Sequence, residues 1–172
     1  MIYGDTRFPN FFYVQRTELY DPRSGTFSDT DPLFPRWMDA FTATLLTDGK
    51  VLVAGGDDDG FIYPLGGAAV YDPSAGTRTP VGNMTAARAH HTATLLPDGK
   101  VLIAGSDLIG GAGLASAELY DPVTSTFAPA GNMTTSRYSH TATLLRDGKA
   151  LIAGGATNFP GVTSSAELYQ PP

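Results

Sequence analysis

One phrase written three times constrains this chain more than anything else in it. It reads FTATLLTDGKVLVAGG from Phe41, HTATLLPDGKVLIAGS from His91 and HTATLLRDGKALIAGG from His140, at offsets of 50 and 49 residues. A second phrase keeps step with it: ELYDP from Glu18, AVYDP from Ala69, ELYDP from Glu118 and ELYQP from Glu167. Self-similarity at this period marks a repeat architecture. Each copy is then one supersecondary unit that buries its apolar faces only by stacking on its neighbours.

The copy from Arg88 to Met133 indicates what the unit is. Thr92 to Leu96 is a run of β-branched, small and apolar residues, suited to a closely packed inner strand. Asp98-Gly99 lies between two apolar runs and predicts a hairpin with a type I′ turn, which needs positive φ at both central residues. The pair recurs, so Gly49, Gly99 and Gly148 are read as structural turn residues. Lys100 to Ala104 is a continuous apolar return strand, covered on both faces. Beyond a loop from Ser106 to about Ala115, Ala117 to Tyr120 reads as a third strand and Asp121-Pro122 as a turn. Thr126 to about Pro129 is a fourth strand, placed outermost because proline cannot donate to a central ladder. Four short antiparallel strands, no helical periodicity and a period near 50 predict an all-β chain of β-propeller blades. A β-sandwich is the alternative, and it leaves the near-verbatim copies unexplained.

As a set, these motifs resemble Kelch repeats of the bacterial, galactose-oxidase-like kind. The resemblance rests on the DGK turns and on the double glycines Gly55-Gly56 and Gly154-Gly155. It rests also on Tyr-Asp-Pro with an aromatic seven residues on, as in Tyr20/Phe27 and Tyr120/Phe127. The chain departs from the pattern at Ser106, Arg78 and Gln170. Residues 1 to about 34 are read as a partial blade, 35–83 and 84–133 as complete blades and 134–172 as a partial one, all in a single propeller segment. Residues 1–5 are expected at the end of a second strand, giving a count of three, four, four and three strands. Such an arc exposes apolar sheet faces and unpaired edges. The ring is therefore expected to close by self-association as a homo-oligomer, or within a larger protein, with a small four-bladed monomer as the other possibility.

Composition narrows the partners. The net charge of −6, with lysine only at positions 50, 100 and 149, argues against a nucleic-acid backbone or an anionic membrane surface. There is no cysteine, so no disulfide and no thiol nucleophile. That is compatible with an exported, extracellular or periplasmic bacterial setting. It also removes the Tyr–Cys cross-link that the copper radical site of the resembling oxidases requires. No cofactor is expected.

Strand alternation puts the DGK and YDP turns on one end of the sheets. The links between strands two and three, and between repeats, fall on the other. The turns are nearly identical between copies, whereas the two-to-three loops differ in each, and variable loops on a fixed scaffold carry recognition. The binding candidates are therefore Asp57, Asp58, Asp59, Phe61 and Tyr63 in one loop, Asp107 in the next, and Asn158 and Phe159 in the last. His91 and His140 join them at the starts of first strands beside the central channel. Phe41 holds the equivalent place, which favours packing over ligation, and His90 is read only as a neighbour. Asp57 and Asp59 offer oxygen ligands for Ca²⁺, but the run lacks the alternation and distal glutamate of a dedicated loop, so a solvated acidic turn is the simpler reading.

Arg88 and Glu118 occur together, as do Arg137 and Glu167, while the first copy replaces both by Met38 and Ala69. Joint loss predicts an ion pair within each unit, because a stranded buried charge is costly. A charge-reversed pair is then expected to restore stability lost in either single variant. The function expected from all of this is a non-catalytic scaffold binding a protein or glycan ligand through its variable loops. The alternatives are a non-catalytic part of a galactose-oxidase-like copper oxidase, or a carbohydrate-binding module.

Overall fold

A computed structural model describes residues 2–4, 12–14, 17–30, 38–58, 63–108, 111–158 and 160–171. Every regular element among them is a β-strand. The first full repeat makes a four-stranded antiparallel sheet in chain order: Thr42–Leu45, Val51–Ala54, Ala68–Asp72 and Thr77–Pro80. The second does the same with Thr92–Leu95, Val101–Ala104, Ser116–Asp121 and Thr126–Asn132. The third contributes three strands, Thr141–Leu144, Ala150–Ala153 and Ala166–Tyr169.

Identical phrases give identical ladders. Ala54 lies opposite Thr42 and Ala68, Ala104 opposite Thr92 and Ala117, and Ala153 opposite Thr141 and Ala166. Pro129 sits on an outermost strand, as its missing N–H requires. That strand continues beyond it to Asn132, with a register shift opposite Ser116 and Glu118 and Gly131 at φ +93°.

The start of the chain departs from expectation. Ile2–Gly4 pairs with Phe12–Val14, and Thr17–Asp21 with Thr26–Thr30. Residues 2–4 thus form a separate hairpin, in the place that Asp57–Asp58 and Tyr63–Pro64 occupy one repeat later, and not a second strand beside the third.

The DGK turns also differ from the expected type. Gly49, Gly99 and Gly148 have φ of +84°, +85° and +84°, but the preceding aspartates do not share the left-handed conformation. The Gly99 amide donates to the Leu96 carbonyl and the Leu96 amide to the Lys100 carbonyl. This is a type I turn followed by a left-handed glycine, the three-residue hairpin. Asp98 braces the turn instead, its carboxylate accepting from the Lys100 amide at 3.1 Å. A Cβ on Gly99 would come no closer than 3.9 Å to another group. Gly99→Ala should therefore cost only the left-handed strain, about 1–2 kcal/mol, read as a drop in the urea unfolding midpoint.

The sheets stack face to face. Leu52, Ala54 and Ala68 of the first sheet pack against Val101, Ile103 and Tyr120 of the second. The opposite face of the second sheet, with Leu102, Ala104 and Ala117, packs against Ala150 and Ile152 of the third. Val101–Ala104 of the second sheet is buried from both sides, which is why its sequence is continuously apolar. Among the described residues, nothing covers the same face of the third sheet in this way. Leu151 and Ala153 are half-buried, Ala166 is exposed and Leu168 is 56% exposed.

Candidate functional site

The two-to-three loops begin at glycines that touch the following repeat. The Gly56 amide donates to the Arg88 carbonyl and the Arg88 amide to Leu65. One repeat on, the Ser106 amide donates to Arg137 and the Arg137 amide to Leu114. A Cβ on Gly55 would collide with the Arg88 carbonyl oxygen, and one on Gly105 with that of Arg137. The first glycine is thus fixed by a close backbone approach. Where the second is replaced, Ser106 is fully buried and uses its hydroxyl, accepting from the Ala89 amide at 2.9 Å and donating to the Asp107 carbonyl at 2.6 Å.

Arg88 and Glu118 form a buried clamp beneath this junction. The guanidinium lies 2.8 Å from the Glu118 carboxylate, and both residues are at most 1% exposed. Its other N–H groups donate to the carbonyls of Gly105 and Ser116 at 2.9 and 2.8 Å and to the Ser116 hydroxyl at 2.9 Å. The Glu118 carboxylate accepts from the amides of Thr85 and Ala86 at 2.6 and 3.2 Å. Burial opposes its charge, but the Thr85 amide and the Arg88 guanidinium prevail and hold its pKa below the ordinary glutamate value. Arg137 and Glu167 repeat the arrangement, with a contact of 2.7 Å.

His91 and His140 are 6% and 7% exposed. Each reaches back to the preceding sheet: His91 Nε2 lies 2.9 Å from Thr42 Oγ1, and His140 Nε2 2.9 Å from Thr92 Oγ1. Burial, aided by Arg88 and the other histidines, pushes the His91 pKa down to about 3. Burial and Arg137 push that of His140 down to about 4. Both rings are therefore neutral near pH 7 and are held in the seams between sheets. The residues just before them form a chain of their own. Ala40, His90 and Ser139 have φ of +50°, +52° and +49°. The His90 amide donates to the Ala40 carbonyl, and the Ser139 amide to the His90 carbonyl.

One further group gathers at the seam of the first and second sheets. Asp57, His90 and Asp107 each present a ligand atom, all within 4.8 Å of one another. Asp57 is 3% exposed. His90 Nε2 lies 3.9 Å from Asp57 Oδ2, too far for a hydrogen bond. Asp107 Oδ1 is buried without a hydrogen-bond partner. Burial raises the Asp107 pKa, and His90 only partly offsets this.

Of the residues singled out from sequence, Asp57 and Asp107 therefore meet, across a repeat boundary. Asp58 and Tyr63 lie opposite each other in a two-residue pairing. Asn158 accepts from the Gly113 amide at 3.2 Å, tying the last loop to the one before it. Asp59, Phe61 and Phe159 lie outside the described residues. His90, read from sequence as a bystander, stands in the cluster, and His91 does not. The usable signal was variation: position 90 corresponds to Ala40 and Ser139, whereas the position after it corresponds to Phe41 and His140.

No protein-family model and no curated protein matches this chain.

Proposed function

We propose that the chain is a segment of a Kelch-type β-propeller that serves as a non-catalytic binding scaffold, presenting its variable loops to a protein or glycan ligand. Its sheets would be blades arranged about an axis lined by the first strands. The identical ladders, the face-to-face stacking and the short intersheet bonds at Thr42–His91 and Thr92–His140 support this reading. The use of both buried histidines as intersheet struts supports a scaffold over an acid–base centre.

The observation that carries the proposal is the outer face of the third sheet. Leu52 and Leu102 are each 1% exposed beneath the next sheet, whereas their equivalent Leu151 is only half-buried, and Leu168 beside it is 56% exposed. A further sheet of the same kind belongs on that face, supplied by a second copy or by additional repeats. Thr141 differs from its equivalents in the same sense: its hydroxyl turns to its own sheet, at 3.4 Å from the Ala153 carbonyl, where Thr42 and Thr92 meet a histidine. Light scattering of the purified chain at several concentrations should give a mass above one chain, and Leu168→Asp should return it to the monomer. A concentration-independent monomer with a melting profile unchanged by Leu168→Asp would remove closure by a second copy.

A further inference from the structure

We propose that Asp57, His90 and Asp107 bind one divalent first-row transition-metal ion, of the Zn²⁺ or Mn²⁺ class, at the seam between the first and second sheets. Two carboxylates and an imidazole converge there with ligand atoms within 4.8 Å of one another. Ligands at about 2.1 Å from a shared ion lie no more than about 4.2 Å apart, so the present spread needs a side-chain adjustment of roughly half an ångström. The 3.9 Å between His90 Nε2 and Asp57 Oδ2 is too long for a hydrogen bond and falls within this spacing.

Charge and burial point the same way. Asp57 is 3% exposed and Asp107 Oδ1 is buried without a hydrogen-bond partner. The two carboxylates together carry the charge that a dication would balance. The imidazole selects a borderline metal over Ca²⁺ or Mg²⁺, which prefer an all-oxygen set. Three protein ligands leave coordination positions for water or for an oxygen of a bound molecule on the loop face.

The backbone presents these groups in a way the other copies do not reproduce. Asp57 and Asp107 occupy the same place in successive repeats, each following its strand-ending glycine pair or its Gly-Ser equivalent, and the third copy has Ala156 there. His90 is held at φ +52°, with its amide and carbonyl bonded to Ala40 and Ser139 on either side. The ring is thereby fixed at the seam while remaining 34% exposed. Two repeats contribute ligands, Asp57 from the first and His90 with Asp107 from the second, so the ion would also pin their junction.

The test is calorimetric titration of the untagged full chain with Zn²⁺, and separately with Mn²⁺, after treatment with EDTA. One saturable ion per chain is expected, with a melting temperature that rises on loading. His90→Gly removes the imidazole while relaxing a left-handed backbone position, and Asp107→Asn keeps the shape and removes a charge. Each should weaken binding at least tenfold, with the metal-free unfolding midpoint reported alongside. His91→Phe should leave the affinity within twofold. Absence of saturable binding by the wild-type chain, or affinity retained by either His90→Gly or Asp107→Asn, overturns the site. The outcome is independent of the oligomeric mass, so the failure of one proposal does not carry the other.

Discussion

Acidification from pH 6.5 to 4.5 is expected to remove about 5 kcal/mol of stability through two histidines alone. His91 and His140 have pKa values of about 3 and about 4 in the folded protein, because each ring is buried against a seam. In the unfolded chain both titrate near 6.5. Across that window the unfolded state takes up protons that the folded state refuses, so stability is complete above pH 6.5 and falls as the pH drops. The slope is about 1.4 kcal/mol per pH unit for each ring. It continues until the folded pKa values are reached. Glu118 and Glu167 act only lower down. Their folded pKa values lie below that of a free glutamate, so their contribution is present above pH 4.5 and is lost beneath it. Urea midpoints measured at half-unit intervals between pH 7 and 4.5 check the slope. The double variant His91→Phe with His140→Phe, which copies the residue already present at Phe41, should flatten it. A slope unchanged in that variant would mean that other groups titrate.

Arg88→Met should cost about 3–5 kcal/mol, the range for breaking a buried ion pair by removing one partner. The substitution deletes the donors to Gly105, Ser116 and Glu118 and leaves a carboxylate 1% exposed without its counterion. The sequence suggested that exchanging the charges would restore what a single change loses. The structure reverses that expectation. At the second clamp the carbonyls of Gly154 and Ser165 accept from Arg137, while the amides of Thr134 and Thr135 donate to Glu167. These backbone dipoles do not exchange with the side chains. Arg137→Glu with Glu167→Arg should therefore be no more stable than either single variant. By contrast, Arg88→Met with Glu118→Ala, the pair already found as Met38 and Ala69, should cost less than the sum of its two single changes, because no charge is left alone. Chemical denaturation in two double-mutant cycles, one for each pair and sharing the wild type, reads both results.

The two effects share a cause. Each sheet is short and cannot bury its own faces, so the seams carry polar groups that join one repeat to the next. His91 and His140 hold the first strands together, and the arginine clamps fix the linkers that lead into them. Groups of this kind are strong only when every partner is present. That is why small chemical changes at a seam are expected to exceed the roughly 1–2 kcal/mol assigned to a turn glycine such as Gly99.

The repeat phrase by itself determined the main strands of the three copies and their order, though not the hairpin at residues 2–4 or the short loop strands, because apolar runs bounded by Asp-Gly and Asp-Pro leave a short chain few other ways to pair. Joint presence and absence of Arg88 and Glu118 also marked a pair of charges, since a buried charge does not persist alone. Sequence could not separate His90 from His91. Adjacent residues differ only in where the backbone aims them, and the left-handed turn at position 90 is fixed by bonds to Ala40 and Ser139, 50 and 49 residues away. Nor could it bring Asp57 to Asp107, which belong to different copies and meet only because one sheet stacks on the next. Local pattern governs pairing within a sheet, through contacts near in the chain; the meeting of side chains across a seam depends on how whole sheets pack, and that was decided by the tertiary structure alone.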